Sequence, residues 1–173
     1  MSASIASWQY FPKHSACSAF LKAVVHVFDA SLDQIASHEN VGQTSDEVLE
    51  VVRPGLEALG FLVENGKTAK SKIKVPVLYG RNGKVEKSFD ADAFHPGERV
   101  VVEVEAGRGV TNYQFLKDLF QACVMQEVDF LVIAVRLDYR GSKDFEKVCT
   151  FFDTIYASNR LTLPLSGVMI TGY

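Results

Sequence analysis

Apolar residues recur at three- and four-residue steps from about Ser15 to Ser37, as Phe20, Leu21, Val24, Val25, Phe28, Leu32 and Ile35. This spacing predicts an amphipathic helix, interrupted near Asp29. A second helix is predicted from Thr44 to Gly60, because Thr44 with Glu47 three residues on forms a capping box. It turns Val48, Leu49, Val52, Leu56 and Leu59 inward, and Pro54 predicts a kink or a division into two pieces. The period then changes to two. Phe61 to Val63 reads as a short strand and Ile73 to Tyr79 as a longer one, with Pro76 marking an edge or a bulge. Asn82-Gly83 is a hairpin turn that delivers the chain to Phe89. Two further β-rich arms flank Pro96-Gly97, so three antiparallel strands in a row are expected. Thr111 with Gln114 makes another capping box, for a helix burying Phe115, Leu116, Leu119, Phe120 and Cys123 as far as about Gln126. Phe130 to Val135 has the continuous apolar character of a buried, often parallel, strand, reached by a right-handed crossover. A helix from about Ser142 to Ser158 and a strand from Pro164 to Ile170 complete an α/β chain with a mixed central sheet.

The stretch from Phe89 to Gly107 carries the chemistry. If the turn is centred between Pro96 and Gly97, residues whose numbers sum to 193 face one another, setting Asp90 opposite Glu103 and Asp92 opposite Val101. Alternation then places Asp90, Asp92, Glu103 and Glu105 on one face of the ribbon, and Phe89, Ala91, Ala93, Val100, Val102 and Val104 on the other. Four carboxylates so placed repel, by about 4 kcal/mol for a pair at ~4 Å and an effective dielectric of ~20. A cation would relieve them. Glu47, Glu50 and Glu57 read most simply as solvated helix charges, although one of them, such as Glu50, can lean over this face.

Charge sharpens the picture. The net charge of −3 argues against non-specific coating of nucleic acid, yet Lys67, Lys70, Lys72, Lys74, Arg81, Lys84 and Lys87 crowd the span just before the acidic arm. Singly each is a solvated surface residue; together, beside carboxylates, Lys72 and Lys74 are placed to hold phosphates. The start of the helix after Gly109, at Thr111 and Asn112, offers free N–H groups for one more phosphate. Gly107-x-Gly109 lacks the third glycine of a dinucleotide fingerprint. Cys17, Cys123 and Cys149 are odd in number and widely spaced, as for reduced thiols of a cytosolic protein. His14, His26 and His38 lack the spacing of a zinc site. With 173 residues and 47% apolar content a single domain is expected, with neither signal peptide nor membrane span.

An Asp before a turn and Glu-x-Glu on the next strand, followed by a helix and a buried strand, resembles the PD-(D/E)XK nuclease superfamily. Within it the nearest pattern is that of restriction endonucleases whose third motif residue is Glu instead of Lys. The resemblance covers roughly Thr44 to Val135. It implies a restriction-endonuclease-like three-layer fold, with residues 1–43 as helical scaffold, 44–135 as nuclease core and 136–173 as a C-terminal helix and strand. It further implies hydrolysis of DNA phosphodiester bonds with Mg²⁺ or Mn²⁺. Asp92, preferred to Asp90, and Glu103 would hold the metal with the backbone carbonyl of Val104, and Glu105 would be a second ligand or the base. DNA and, in a homodimer, a second copy of the chain are the partners considered, and the cytoplasm the location. Two departures stand: Glu105 occupies the usual Lys position, and Ala91 the place of a proline. The alternative is a degenerate nuclease-fold module for binding or assembly.

Overall fold

The computed structural model describes residues 6–66, 68, 70–107, 110 and 112–173. Strand β1 (Ser7–Phe11) leads into helix α1 (Ala19–Asp29), the single turn α2 (Leu32–Ile35), α3 (Ser45–Ala58) and the short β2 (Leu62–Val63). Strands β3 (Ile73–Tyr79), β4 (Val85–Ala91), β5 (Ala93–His95) and β6 (Val100–Glu105) follow, then α4 (Gln114–Val124), β7 (Phe130–Val135), α5 (Asp144–Ser158) and β8 (Gly167–Gly172). The main sheet has the order β1-β8-β7-β6-β5-β2, while β3 and β4 form a separate two-stranded ribbon. Neighbours β6, β7 and β8 are parallel and the outer pairs antiparallel, so the sheet is mixed as expected.

Both faces of the sheet are covered. Val100, Val102 and Val104 of β6, with Val132 and Ala134 of β7, pack against Leu21, Val24, Phe28, Val48, Val52 and Leu56 of α1 and α3. The intervening Val101, Leu131, Ile133 and Val135 pack against Phe115 and Leu119 of α4 and Val148 and Phe152 of α5. Burial on two sides explains why β6 and β7 are so continuously apolar.

Several expectations are met in detail. The first helix breaks after Asp29. Thr44 and Glu47 make the full capping box, and Pro76 lies at a register shift of the β3–β4 ladder. Asn82 and Gly83 take left-handed backbone, with φ of 57° and 71°. Others are corrected. α3 runs through Pro54 as one helix. The N-terminal segment is not purely helical, because β1 adds an edge strand antiparallel to β8. α4 starts at Gln114 behind Tyr113, without a side-chain cap; the box with Thr111 lies outside the described residues. Phe120 points outward at 62% exposure, and Asp118 and Ala122 take buried positions on that helix instead.

The turn after β5 has four residues, Pro96 to Arg99, and Arg99 takes φ +58°. Pairing of Ala93 with Val102, Phe94 with Val101 and His95 with Val100 moves the register from a sum of 193 to 195. The side chain of His95 fixes this turn: its Nε2 lies 3.1 Å from the Leu59 carbonyl and its Nδ1 accepts the Glu98 N–H at 2.9 Å. The Phe20 and Phe61 rings meet it edge-on. Among the described residues no helix is long and apolar enough to cross a membrane, and the three cysteines are free thiols.

Thr44→Ala removes the oxygen that accepts the Glu47 N–H and is expected to cost about 1 kcal/mol. For a chain of this size that is a fall in Tm of roughly 2–4 °C by calorimetry, while Thr44→Ser should melt close to wild type.

Candidate active site

The strand entering the β5–β6 hairpin is broken at Asp92. Up to Ala91 it pairs with β3, and from Ala93 it pairs with β6. The break alters the expected faces. Phe89 and Ala91 pack with Val75, Val77 and Val101, whereas Ala93 joins Val100, Val102 and Val104 on the opposite side of the sheet. Asp90 consequently turns outward and pairs with Lys74 at 3.2 Å. At the break itself, Asp92 Oδ2 accepts the Val104 N–H at 2.8 Å, and the Asp92 carbonyl accepts the Glu64 N–H at 2.8 Å.

That pairing extends the β2–β5–β6 ladders by one step. Val63, Ala93 and Val102 form one transverse row, facing α3. Glu64, Asp92 and Glu103 form the next row, facing α4. Glu105 lies two residues further along the same face of β6, and Asp118 reaches it from the buried stripe of α4. The carboxylates expected on an open ribbon face are thus roofed by a helix. Glu64, Glu103 and Asp118 are almost wholly buried, and Asp92 and Glu105 partly so.

Their electrostatics follow from desolvation. Burial raises the Asp92 carboxyl to about 7; the Val104 hydrogen bond opposes this, and Glu64 and Asp118 add to it. Glu103 is pushed well above the carboxylate range by burial and then by Asp92 and Asp118. Burial, followed by a hydrogen bond with Asp118, raises Glu105 to about 9. Burial also raises Asp118, whose Oδ2 has no hydrogen-bond partner. Lys72 Nζ stands 2.5 Å from Glu64 Oε1. The Glu64 carbonyl also accepts from Arg53 at 2.9 Å.

Of these groups Glu64, Asp92 and Glu103 open onto a cleft of about 430 Å³ between the β3–β4 ribbon and α4, with Glu105 and Asp118 behind its lining. Acids Glu64, Asp90, Asp92 and Glu103 line it together with Lys72, Lys74, Lys87 and Lys117. The structure therefore brings together Asp92, Glu103, Glu105 and Val104, and sets Lys72 and Lys74 on the rim. Glu50 stays exposed on α3, 2.6 Å from Arg53. Asn112 is exposed in the turn before α4, away from the cleft lining, and Thr111 lies outside the described residues. Glu64 and Asp118 were missed by reading the sequence alone. Asp118 was detectable, since Phe115, Asp118, Leu119 and Ala122 share one helical stripe; Glu64 had no local signal.

A hard divalent cation fits the chemistry of this donor set, which is all oxygen, includes the unpartnered Asp118 Oδ2, and contains no thiol or imidazole. Among the described residues, no three acids, histidines or cysteines converge closely enough to hold an ion. The sequence matches no protein-family model and has no significant match among curated proteins.

The raised carboxyls set a pH dependence. Asp92 keeps its proton to about 7 when folded, against an ordinary 3.8, and Glu105 to about 9 against 4.5. Between each pair of values unfolding releases a proton, so this stabilisation is complete below about pH 4 and is lost as pH rises to 7 and then 9. In chelator, Tm is expected to fall steadily from pH 5 to 9, and Asp92→Asn or Glu105→Gln should flatten that slope. Scanning calorimetry across pH checks it; a Tm rising over this range would contradict the assignment.

Proposed function

We propose that this cleft is the active site of a divalent-metal-dependent endonuclease that hydrolyses DNA phosphodiester bonds. The observation that carries the reading is the row Glu64, Asp92 and Glu103, joined by Glu105 and Asp118 and rimmed by lysines. Burying several carboxylates beside one another is costly, and cations offset only part of it: Lys72 stands 2.5 Å from Glu64 and Lys117 3.5 Å from Asp118, while among the described residues Asp92, Glu103 and Glu105 have no ion-pair partner. Carboxylates that raise one another's pKa in this way are placed to receive positive charge. The setting of Asp92 and Glu103 on a hairpin, followed by the crossover β6–α4–β7, supports the resemblance to PD-(D/E)XK nucleases.

Asp92 and Glu103 would hold Mg²⁺ or Mn²⁺ with the Val104 carbonyl. Such an ion, when bound, polarises the scissile phosphate and lowers the pKa of water. The residues themselves do the rest. The Val104 N–H fixes the Asp92 carboxylate, so that one oxygen is oriented before any ligand arrives. Glu105 is held in position by Asp118 and, once cationic charge enters the cleft, loses its proton and becomes the acceptor for a proton from water. Lys72 and Lys74 offer charge to the flanking phosphates. A second reading, a nuclease-fold module that binds without cutting, is favoured by one fact: among the described residues no three of the acids converge.

Plasmid DNA is expected to be nicked or cut in Mg²⁺ or Mn²⁺ and left intact in EDTA. Asp92→Ala and Glu103→Ala should abolish both cleavage and calorimetric binding of the ion, and Glu105→Ala should slow cleavage by ~10² or more, as for a general base. Ion binding without any product selects the binding module, and equal binding to wild type and Asp92→Ala removes the metal site altogether.

A further inference from the structure

The β3–β4 ribbon is a separate sheet anchored only at its base. Val75 and Val77 bury their side chains in the α4–α5 core, the Gln126 N–H donates to the Pro76 carbonyl at 3.0 Å, and the Tyr79 hydroxyl lies 3.2 Å from Glu127. Beyond these anchors no element among the described residues covers the ribbon. Every residue from Arg81 to Lys87 is exposed, as are Leu78 and Tyr79, at 56% and 47%. From Lys72 to Ser88 the sequence holds five cationic residues against one acidic, in a chain of net charge −3. Lys87 has no carboxylate partner among the described residues and sits over the Phe89 ring, 5.2 Å from its centre.

We propose that this ribbon enters the major groove of duplex DNA, reading it with the tip while its base leads the backbone into the acidic cleft; the inference rests on the nuclease reading for its substrate. A two-stranded β-ribbon fits a major groove about 12 Å wide and 8.5 Å deep. From Leu78 to the turn the free end of the ribbon, rising about 3.4 Å per residue, is about as long as that groove is deep. Arg81, Lys84 and Lys87 contact phosphates, and Asn82 at the turn meets base edges. Leu78 and Val85 present apolar surface of the kind that packs on thymine methyl groups. A single strand fits less well, because stacking platforms need open aromatic faces. Phe89 is capped by Lys87, and Tyr79 is tied to Glu127. The same β4 that ends the tip continues through Ser88, Asp90 and Asp92 along the cleft wall, so groove contact and chemistry share one strand.

The test measures binding of a 30-base-pair duplex in EDTA, where no cleavage occurs, over a range of salt. Arg81→Ala/Lys84→Ala/Lys87→Ala is expected to make the slope of log affinity against log salt shallower by roughly 2–3 units, at ~0.9 per lost phosphate contact. Methylation of guanine N7, which blocks the major groove, should weaken wild type and leave that variant unaffected. Because the three side chains are exposed, a circular-dichroism melt should match wild type, and Lys84→Gln/Lys87→Gln repeats the measurement with the side-chain stems kept. An unchanged slope in both variants overturns the proposal, as does equal affinity for the single strand, or displacement by a minor-groove ligand with no effect of N7 methylation. Ribbon-dependent duplex binding in a protein that cuts nothing with any divalent ion supports the groove contact and defeats the hydrolytic reading. Cleavage with ribbon-independent binding does the reverse.

Discussion

The hydrogen bond from the Val104 N–H to Asp92, at 2.8 Å, holds together a strand that would otherwise be discontinuous. At Asp92 the chain leaves the β3–β4 ribbon and joins the main sheet, and a ladder bond at that point is replaced by a side-chain acceptor. The replacement allows β4 and β5 to bury opposite faces, and so lets one hairpin serve two structures. It also lowers the cost of keeping a carboxylate in a site that otherwise raises its pKa to about 7. Everything in the cleft is placed relative to that junction: Glu64 through its backbone bond to Asp92, Glu103 beside it on β6, and the lysines on the ribbon above.

The far end of β6 is tied down in a complementary way. The Ala106 N–H donates to Ser45 Oγ at 2.9 Å, at the start of α3, and the Tyr173 hydroxyl donates to the Glu105 carbonyl at 3.3 Å. Fully buried Arg136 donates to the carbonyls of Val41 and Gln43, pinning the loop before α3 to the end of β7. The acidic row is therefore built on strands whose ends are tied down, with Asp92 and Glu64 further held by the Val104 N–H and by Lys72.

Position on the sheet also divides the labour among cations. Lys72 and Lys74 each already face an acid, so they neutralise the rim, and any phosphate they hold must share them with Glu64 or Asp90. Among the described residues, Arg81, Lys84 and Lys87 at the tip have no acidic ion-pair partner. On the nuclease reading, a cleft with paired lysines at its wall and cationic charge further out would draw a polyanion toward the ribbon before the acidic floor.

The sequence by itself determined the elements and much of their order. Period-two and period-3.6 patterns, the Thr44–Glu47 box and the Asn82-Gly83 turn each act within a few residues, where local sterics and hydrogen bonds decide the outcome. For the same reason Asp92, Glu103 and Glu105 were legible as a group, since a hairpin brings near neighbours in sequence together. What lay beyond was decided by tertiary structure. The register depended on Arg99 adopting φ +58° in a four-residue turn, which the Pro96-Gly97 pair concealed. Strand β1 is specified by its partner β8, over 150 residues away in sequence, and not by its own short segment. Glu64 entered the site only because β2 pairs with β5, and Asp118 only because α4 packs across that face of β6. Desolvation, the property that turns ordinary acids into a candidate site, is a sum over neighbours from several elements, and no stretch of sequence contains it.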